Sequence, residues 1–559
     1  MVAWVGTGKR KCLGCHTPSS EQIEHMEQIP SEETVRLLHN LLETNRVKME
    51  LGQRDRKRLK MDRPVLFIAN HTWGEVEEWA LLSQLLEVGH PVRILSERIP
   101  AEPVLRPYYH RPVGNSLLGT EAYADNICQA LQQLTREGFS VLLCLHFTDR
   151  SLDTLVRNRL LNKLMKRIRQ VQVPMVPIRL KSPIPTFLRP GLGSKVAMRL
   201  HRGEPLRLVI RVGSPITVPE QQKFEKAGEL RRFLQSRIFS LGTELDVPVF
   251  YAIRQLFRRE GQPLALADPV PAEVVREEIG RLSPDQRIAA QGPYDILIAE
   301  ARQIPHTLRE IGRLREQTFR EVGEGTGKSF DLDEYDLYYH QLILWHRETG
   351  EIAGGYRMGL GDVIFERYGA NGFYISSLFR IGKGFFPILP AAVELGRSFV
   401  VPAHQRQRLP LFLLWKGILY FLFKNPQYRY LYGPVSISKY YSNISRGLIV
   451  AFIRKYYFDH DLAAHLRPRK PFRFKVDKVD VEMLASHLGE ELQSLDSLIE
   501  DIEPAHIRMP VLVRQYLKLK ARFISFNVDP NFSDVLDGFI LLNWKDIPAD
   551  VLEALRKEV

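Results

Sequence analysis

Pro64-Val65-Leu66-Phe67-Ile68-Ala69-Asn70-His71 is a short apolar run closed by two polar residues. A run this brief, with no polar residue alternating through it, predicts a strand buried on both faces, as in a parallel sheet covered by helices. Working outward, comparable runs stand at Val92 to Leu95, Ser140 to Leu145, Val173 to Leu180 and Leu206 to Val212. Helical patterns fall between them, Glu121 to Glu137 among them, and such alternation predicts an α/β layer. Upstream, Glu21 to Met61 reads as amphipathic helix, with Val35, Leu37, Leu38, Leu41 and Leu42 at helical spacing before the basic tract Arg54 to Lys60. The expectation is a helical cap over residues 1–60 and an α/β domain over 61–257.

Turn formers then crowd together: Gly261-Gln262-Pro263, Asp268-Pro269-Val270-Pro271 and Ser283-Pro284. They predict a linker over residues 258–290 and a second domain over 291–559. There, Gln341 to Trp345 and Ile352 to Met358 read as strands joined by a turn at Gly350, so this half is also α/β, with a more antiparallel sheet. Leu409 to Phe423 is the longest apolar run; Lys416 interrupts it, and it falls short of the roughly 20 residues of a membrane span. It reads as a buried core helix.

A chain of 559 residues exceeds one comfortable core, and 44% hydrophobic with 26% charged residues suits folded domains. The formal charge of +13 favours an acidic partner: nucleic acid, an anionic membrane surface or an acidic carrier protein. Nucleic acid is disfavoured, because neither a basic helix-turn-helix nor a zinc-finger spacing nor an aromatic strand platform is present. Four cysteines form no disulfide framework, which suits a reducing cytosol. Cys12-Leu13-Gly14-Cys15-His16 has the spacing of a haem attachment site, but Met1 to Lys11 shows no apolar core of signal-peptide length, and no second Cys/His pair completes a zinc site. No metal or cofactor is expected.

His71, at the end of its strand, is followed by Glu75, Glu77 and Glu78. An imidazole with pKa near 6.5 can take the proton of an attacking hydroxyl, and a carboxylate on its other nitrogen fixes its orientation. Asn70-His71 after an apolar strand resembles the signature block of glycerolipid acyltransferases of the 1-acylglycerol-3-phosphate type, in which His and an acid act as a pair. The usual spacing falls on Val76; a glycine-containing variant with one more residue points to Glu77, with Glu75 as the alternative. Val173-Pro174-Met175-Val176-Pro177-Ile178 resembles that family's last apolar block, and Tyr109-His110-Arg111-Pro112-Val113-Gly114 stands where an arginine-bearing block is expected. In Leu145-His146-Phe147-Thr148-Asp149-Arg150-Ser151 only Arg150 and Ser151 match, with Phe147 at the glutamate position. The resemblance implies a catalytic His71–Glu77 pair and substrate contacts from Arg111, Arg150 and Ser151.

In the second half, Asp333-Glu334-Tyr335-Asp336 precedes a strand, Arg357 lies at the end of the next, and Glu394 to Val401 closes a later strand, Glu394 following apolar Pro387 to Val393 and preceding an apolar run. A carboxylate at such a desolvated position has its pKa raised toward that of a useful base. These residues, with Gly350 to Arg357, Glu394-Leu395-Gly396-Arg397-Ser398, Tyr428 to Ser436 and the closing segment Met509 to Ala521, resemble the long-chain, hemolysin-like branch of the GNAT superfamily, which includes ornithine-lipid synthases, with autoinducer synthases as more distant relatives. The resemblance implies direct attack of an amine on an acyl-carrier-protein or CoA thioester, with Glu394 as base. Asp333 and Asp336 would grip the amino-acid substrate, and Arg357 or Arg397 its carboxylate. The expected donor is acyl-carrier protein, because Val401 to Arg408 has no glycine-rich pyrophosphate loop.

The combined reading is two α/β domains, glycerolipid acyltransferase-like then GNAT-like with a mixed sheet, resembling bifunctional aminolipid synthases. Such a chain acylates an amino acid on nitrogen with a 3-hydroxyacyl group and then esterifies that hydroxyl. It would sit peripherally on the inner face of the cytoplasmic membrane and act on a lipid precursor. The alternatives are a lysophospholipid acyltransferase with a binding-only second domain, and a non-catalytic membrane scaffold.

Overall fold

A computed structural model describes residues 31–70, 75–112, 120–145, 153–181, 205–242, 264–405, 409–474, 478–503, 507–529, 532, 534–550 and 552–553. The chain divides into two compact units, Met1–Ile238 and Phe239–Val559.

The first unit runs α1 (Ser31–Thr44), β1 (Val47–Leu51), α2 (Gln53–Leu59), β2 (Leu66–Asn70), α3 (Glu75–Glu87), β3 (Val92–Leu95), β4 (Tyr109–His110), α4 (Thr120–Arg136), β5 (Ser140–Leu145), α5 (Asp153–Val171), β6 (Met175–Lys181), β7 (Leu206–Val212), α6 (Val218–Gln222) and α7 (Ala227–Ser240). Its sheet has the order β1-β7-β6-β2-β5-β3-β4, parallel except where β6 meets β7. The opening apolar run is the central strand β2, buried at every position between β5 and β6. Phe67 and Ala69 join a core with Leu81, Leu82 and Leu85 of α3, while Leu66 and Ile68 are fully buried. Each large apolar side chain so buried contributes about 2 kcal/mol. Residues 1–60 differ from the expected helical cap, because Val47–Leu51 is an edge strand parallel to β7. Its Val-Lys-Met-Glu-Leu alternation is a strand period that the helical stretches on either side conceal. Within the basic tract, Asp55 is buried; it accepts the Val212 amide at 2.7 Å and pairs with Arg211.

The second unit contains α8 (Ala272–Gly280), β8 (Arg287–Gln291), β9 (Tyr294–Glu300), α9 (Pro305–Glu321), β10 (His340–His346), β11 (Glu351–Leu360), α10 (Gly361–Tyr368), α11 (Ile375–Leu378), β12 (Phe379–Ile381), β13 (Ala392–Val400), α12 (Leu409–Lys424), β14 (Tyr430–Ile437), α13 (Asn443–Tyr456), β15 (Leu466–Pro468), β16 (Arg522–Asp529) and β17 (Val535–Asn543). Eight strands order as β16-β17-β14-β13-β11-β10-β9-β8, and only β13 and β14 are parallel. Residues 264–290, expected as linker, are instead built into this unit. The Glu278 carboxylate accepts the Thr307 amide at 2.7 Å at the start of α9, and β8 is an edge strand on β9. Their prolines mark turns between short elements rather than a free connection. The later strand that closes over Glu394 begins at Ala392, after Pro390, which has no N–H to give a ladder, and runs through Glu394 to Val400. The apolar run Leu409–Lys424 is a helix against the sheet, its Lys416 buried and bonded to Gln291 at 2.7 Å. Among the described residues no helix is long and apolar enough to cross a membrane.

Candidate active site

In the second unit the decisive feature is where the sheet opens. β13 and β14 pair only over Ala392–Glu394 and Tyr430–Tyr432; beyond that β13 follows β11 and β14 follows β17. A bulge accompanies the parting. On β11 the partner of Gly355 is Phe399 and that of Arg357 is Gly396, so Arg397 and Ser398 together face Tyr356. Arg397 takes the extra turn with φ of 51°, a left-handed conformation unusual for a side-chain-bearing residue. At the fork Gly433 passes so close to β13 that a Cβ would lie 2.0 Å from the Leu395 carbonyl oxygen.

Glu394 is the last paired residue before the fork and is 1% exposed. Its Oε1 accepts the Ile375 amide at 2.7 Å; its Oε2 accepts the Tyr374 amide at 3.1 Å and the Tyr339 hydroxyl at 2.5 Å. Burial pushes its pKa up to about 7, and these donors together with Arg357 restrain it from going further. That is the value a base needs at neutral pH.

Beside it lies a closed ionic network. The buried Arg357 guanidinium donates to Asp333 at 2.5 Å and to Asp336 at 3.2 Å, and Arg315 donates to Asp336 at 2.8 Å and to Gln341 at 2.7 Å. Arg397 pairs with Asp331 at 2.9 Å and Asp333 at 3.3 Å, and donates to the Tyr374 hydroxyl at 3.2 Å. Burial alone would raise the Asp336 pKa, but Arg315 and Arg357 outweigh it and hold the carboxyl well below the usual range. Asp333 and Asp336 also form a capping box on the short helical turn Glu334–Leu337. The Asp-Glu-Tyr-Asp motif thus does two jobs, ending a loop and locking two arginines. Asp336, 2% exposed and shared between guanidiniums, has no face toward a substrate, whereas the Asp333 side chain is 20% exposed. Arg357 lies within 5.6 Å of the rings of Tyr335, Tyr339 and Tyr374, and its Nη2 and Nε have no hydrogen-bond partner.

On the other arm of the fork, Asp537 is 3% exposed and accepts from Ser436 at 2.8 Å. Burial, with Asp529 and Glu324 nearby, pushes its pKa up to about 8. Sequence reasoning missed Arg315, Asp331, Gln341, Tyr339, Tyr374 and Asp537. Only Asp331 carried a local signal, as the first acid of Asp331-Leu332-Asp333; the others are brought in by strands and helices distant along the chain.

In the first unit the sheet topology brings the carboxyl ends of three parallel strands to one edge. β2, β4 and β5 run parallel, and the expected residues follow their carboxyl ends: His71 after β2, Arg111 after β4, Arg150 and Ser151 after β5. Ligands of open α/β sheets bind at that edge. The Asn70 amide exchanges two bonds with the Leu180 backbone, at 2.9 and 2.8 Å, which carries the β2–β6 ladder one step further and fixes the strand end. Glu77 is 1% exposed in the first turn of α3, Glu75 is half-buried, and Arg111 is exposed. His71, Arg150 and Ser151 lie outside the described residues, as do Cys12, Cys15 and His16.

A family model for the GNAT acetyltransferase domain matches residues 314–415, which take in the second half of α9, the Asp333–Asp336 motif, Arg357, Glu394 and Arg397. Two proteins named glycine Nα-acyltransferase, from Phocaeicola vulgatus and Bacteroides thetaiotaomicron, are each 32% identical over 299 residues. Those alignments cover 50% of this chain and 89% and 86% of the relatives. The chain belongs to the GNAT acyltransferase family. The GNAT match lies within the second unit, where the forked β13 and β14 with Glu394 at their junction are the candidate centre for acyl transfer. A solved 1-acyl-sn-glycerophosphate (LPA) acyltransferase, PlsC, from Thermotoga maritima aligns with 43% of this chain and 85% of its own at 12% identity, with a TM-score of 0.25. So loose a superposition carries no argument about the first unit.

Proposed function

We propose that the GNAT unit moves a 3-hydroxyacyl group from an acyl-carrier-protein thioester to the amino group of an α-amino acid, and that the first unit then esterifies the new hydroxyl. The observation carrying this reading is Glu394, enclosed where β13 and β14 part, with a pKa near neutrality. The amine nitrogen attacks the thioester carbonyl carbon; a C–N bond forms, the C–S bond breaks, the amine proton passes to Glu394, and the thiolate leaves to take a proton from solvent. Backbone N–H groups left unpaired by the fork are the natural donors for the oxyanion. The buried Arg357 Nη2 has no hydrogen-bond partner and lies among the rings of Tyr335, Tyr339 and Tyr374, so it is the guanidinium nitrogen left over for an acceptor carboxylate, with Arg397 and the part-exposed Asp333 joined to it through their shared ion pairs. The relatives' activity makes glycine an acceptor to test beside ornithine. A catalytic carboxylate of this kind favours transfer over a binding-only second unit.

For the first unit, the support is that β2, β4 and β5, the strands that precede His71, Arg111 and Arg150 in the chain, run parallel to one sheet edge, with buried Glu77 in the first turn of α3. The test is lipid profiling of a host lacking aminolipids that expresses the full chain, supplied with labelled glycine or ornithine. The parent should yield the doubly acylated lipid, H71A the N-acylated lipid alone, and E394Q neither. A scaffold would leave all profiles alike, and a glycerolipid enzyme would alter only phospholipids. Peripheral attachment to an anionic leaflet, suggested by the +13 charge, predicts release by high salt; release by detergent alone would count against it.

A further inference from the structure

Glu78 is not needed by the His71–Glu77 reading, yet it is 5% exposed one residue from Glu77. It stands over the carboxyl edge of the first sheet. Ser96, which follows β3, donates to its Oε1 at 3.4 Å, a long bond, and its Oε2 has no hydrogen-bond partner. The Tyr109 hydroxyl of β4 faces the same carboxyl closely enough to restrain its pKa by hydrogen bonding, although the two lack the geometry of a well-formed bond. Glu75 and Glu77 on its own helix and the Cys144 thiol of β5 are the other titratable groups around it, so among the described residues no cation compensates the carboxyl. Burial raises its pKa to about 7, which leaves a large neutral fraction able to donate as well as accept. A buried carboxyl oxygen and a phenol that face one another at a sheet edge without closing a well-formed bond are an arrangement that folding alone disfavours, a bond left unmade there costing about 1–3 kcal/mol.

We propose that Glu78 and Tyr109 form a hydroxyl-binding pair, bridged by the alcohol oxygen of the acceptor that the first unit esterifies. Both are positioning residues: the carboxyl accepts or donates, the phenol completes the bridge, and the acceptor oxygen is held at the edge where the His71 segment begins. The inference rests on reading the first unit as an O-acyl transfer unit.

The test uses the full chain in vesicles, with a synthetic N-(3-hydroxyacyl) amino acid as acceptor, an acyl thioester donor, and the variants E78L, E78Q and Y109F. Y109F should raise the acceptor KM about fivefold, the loss of one hydrogen bond of about 1 kcal/mol. E78L should raise it about tenfold or more, and E78Q should recover most of that loss, since the amide can both donate and accept. E78L should also keep or raise Tm, because an apolar group replaces an unpaired carboxyl. An unchanged KM in E78L and Y109F overturns the pairing, and a lowered Tm in E78L makes Glu78 a structural residue instead. A parent chain that esterifies nothing overturns the reading of the first unit and this inference with it, a result distinct from a difference among variants.

Discussion

The E394Q substitution tests the GNAT centre most directly. Glutamine keeps the length and shape of the side chain, and its carbonyl oxygen can still accept the Ile375 amide. The Oε2 position, which accepts from Tyr374 and Tyr339, becomes an NH2 group that cannot accept. That change removes about 1–3 kcal/mol from folding. An opposite effect offsets it. The folded pKa is raised from 4.5 to about 7, so the Glu394 contribution is fully present below pH 4.5 and is lost as pH rises through 7. Above that pH the ionised carboxylate costs roughly 3 kcal/mol, which glutamine avoids. Stability should therefore change little at pH 8, while loss of the base lowers amide formation by about 10²- to 10⁴-fold. The assay is thiol release from a synthetic acyl thioester with glycine as acceptor, followed from pH 5 to 9. The parent rate should rise with pH through an apparent pKa near 7, and E394Q should lack that limb. A variant keeping more than about a tenth of the parent rate, or retaining the limb, would refute the base assignment.

Three further outcomes follow from the same network. R357M leaves Asp336 buried with one guanidinium instead of two and should destabilise the GNAT unit by about 3–5 kcal/mol in urea unfolding; a change below about 1 kcal/mol would mean the ion pairs are not holding the fold. G433A sets a methyl group against the Leu395 carbonyl and should force β13 and β14 apart at the fork, lowering Tm and abolishing N-acylation; normal melting with full activity would refute the close approach. Asp537 loses its contribution as pH rises from its unfolded pKa of 3.8 through about 8, so D537N should gain stability over the parent between pH 5 and pH 9, by up to roughly 5 kcal/mol. Parallel pH–stability curves would contradict its burial as a neutral acid.

The strands of the first unit were legible because a strand buried on both faces is apolar nearly throughout, as Leu66 to Ala69 and Val141 to Leu145 are, with Val92 to Leu95 interrupted only by the half-buried Arg93. The edge strand Val47–Leu51 was not, since it is short, half polar and packed between helices. Local chemistry also pointed to Glu394, a carboxylate amid apolar residues, and to the Asp333–Asp336 spacing. What those acids do was decided elsewhere. Arg315 reaches Asp336 from α9 and Arg397 reaches Asp333 from β13, so a motif that reads as a cation-binding pair is largely occupied by the protein's own arginines. The alternation of elements, the two-domain plan and the acids available for proton transfer were readable from side chains close together in the chain. The parting of β13 and β14 beside Glu394, and the burial that brings its pKa to neutrality, arise on folding, because strand partners and desolvation depend on segments far apart in the chain.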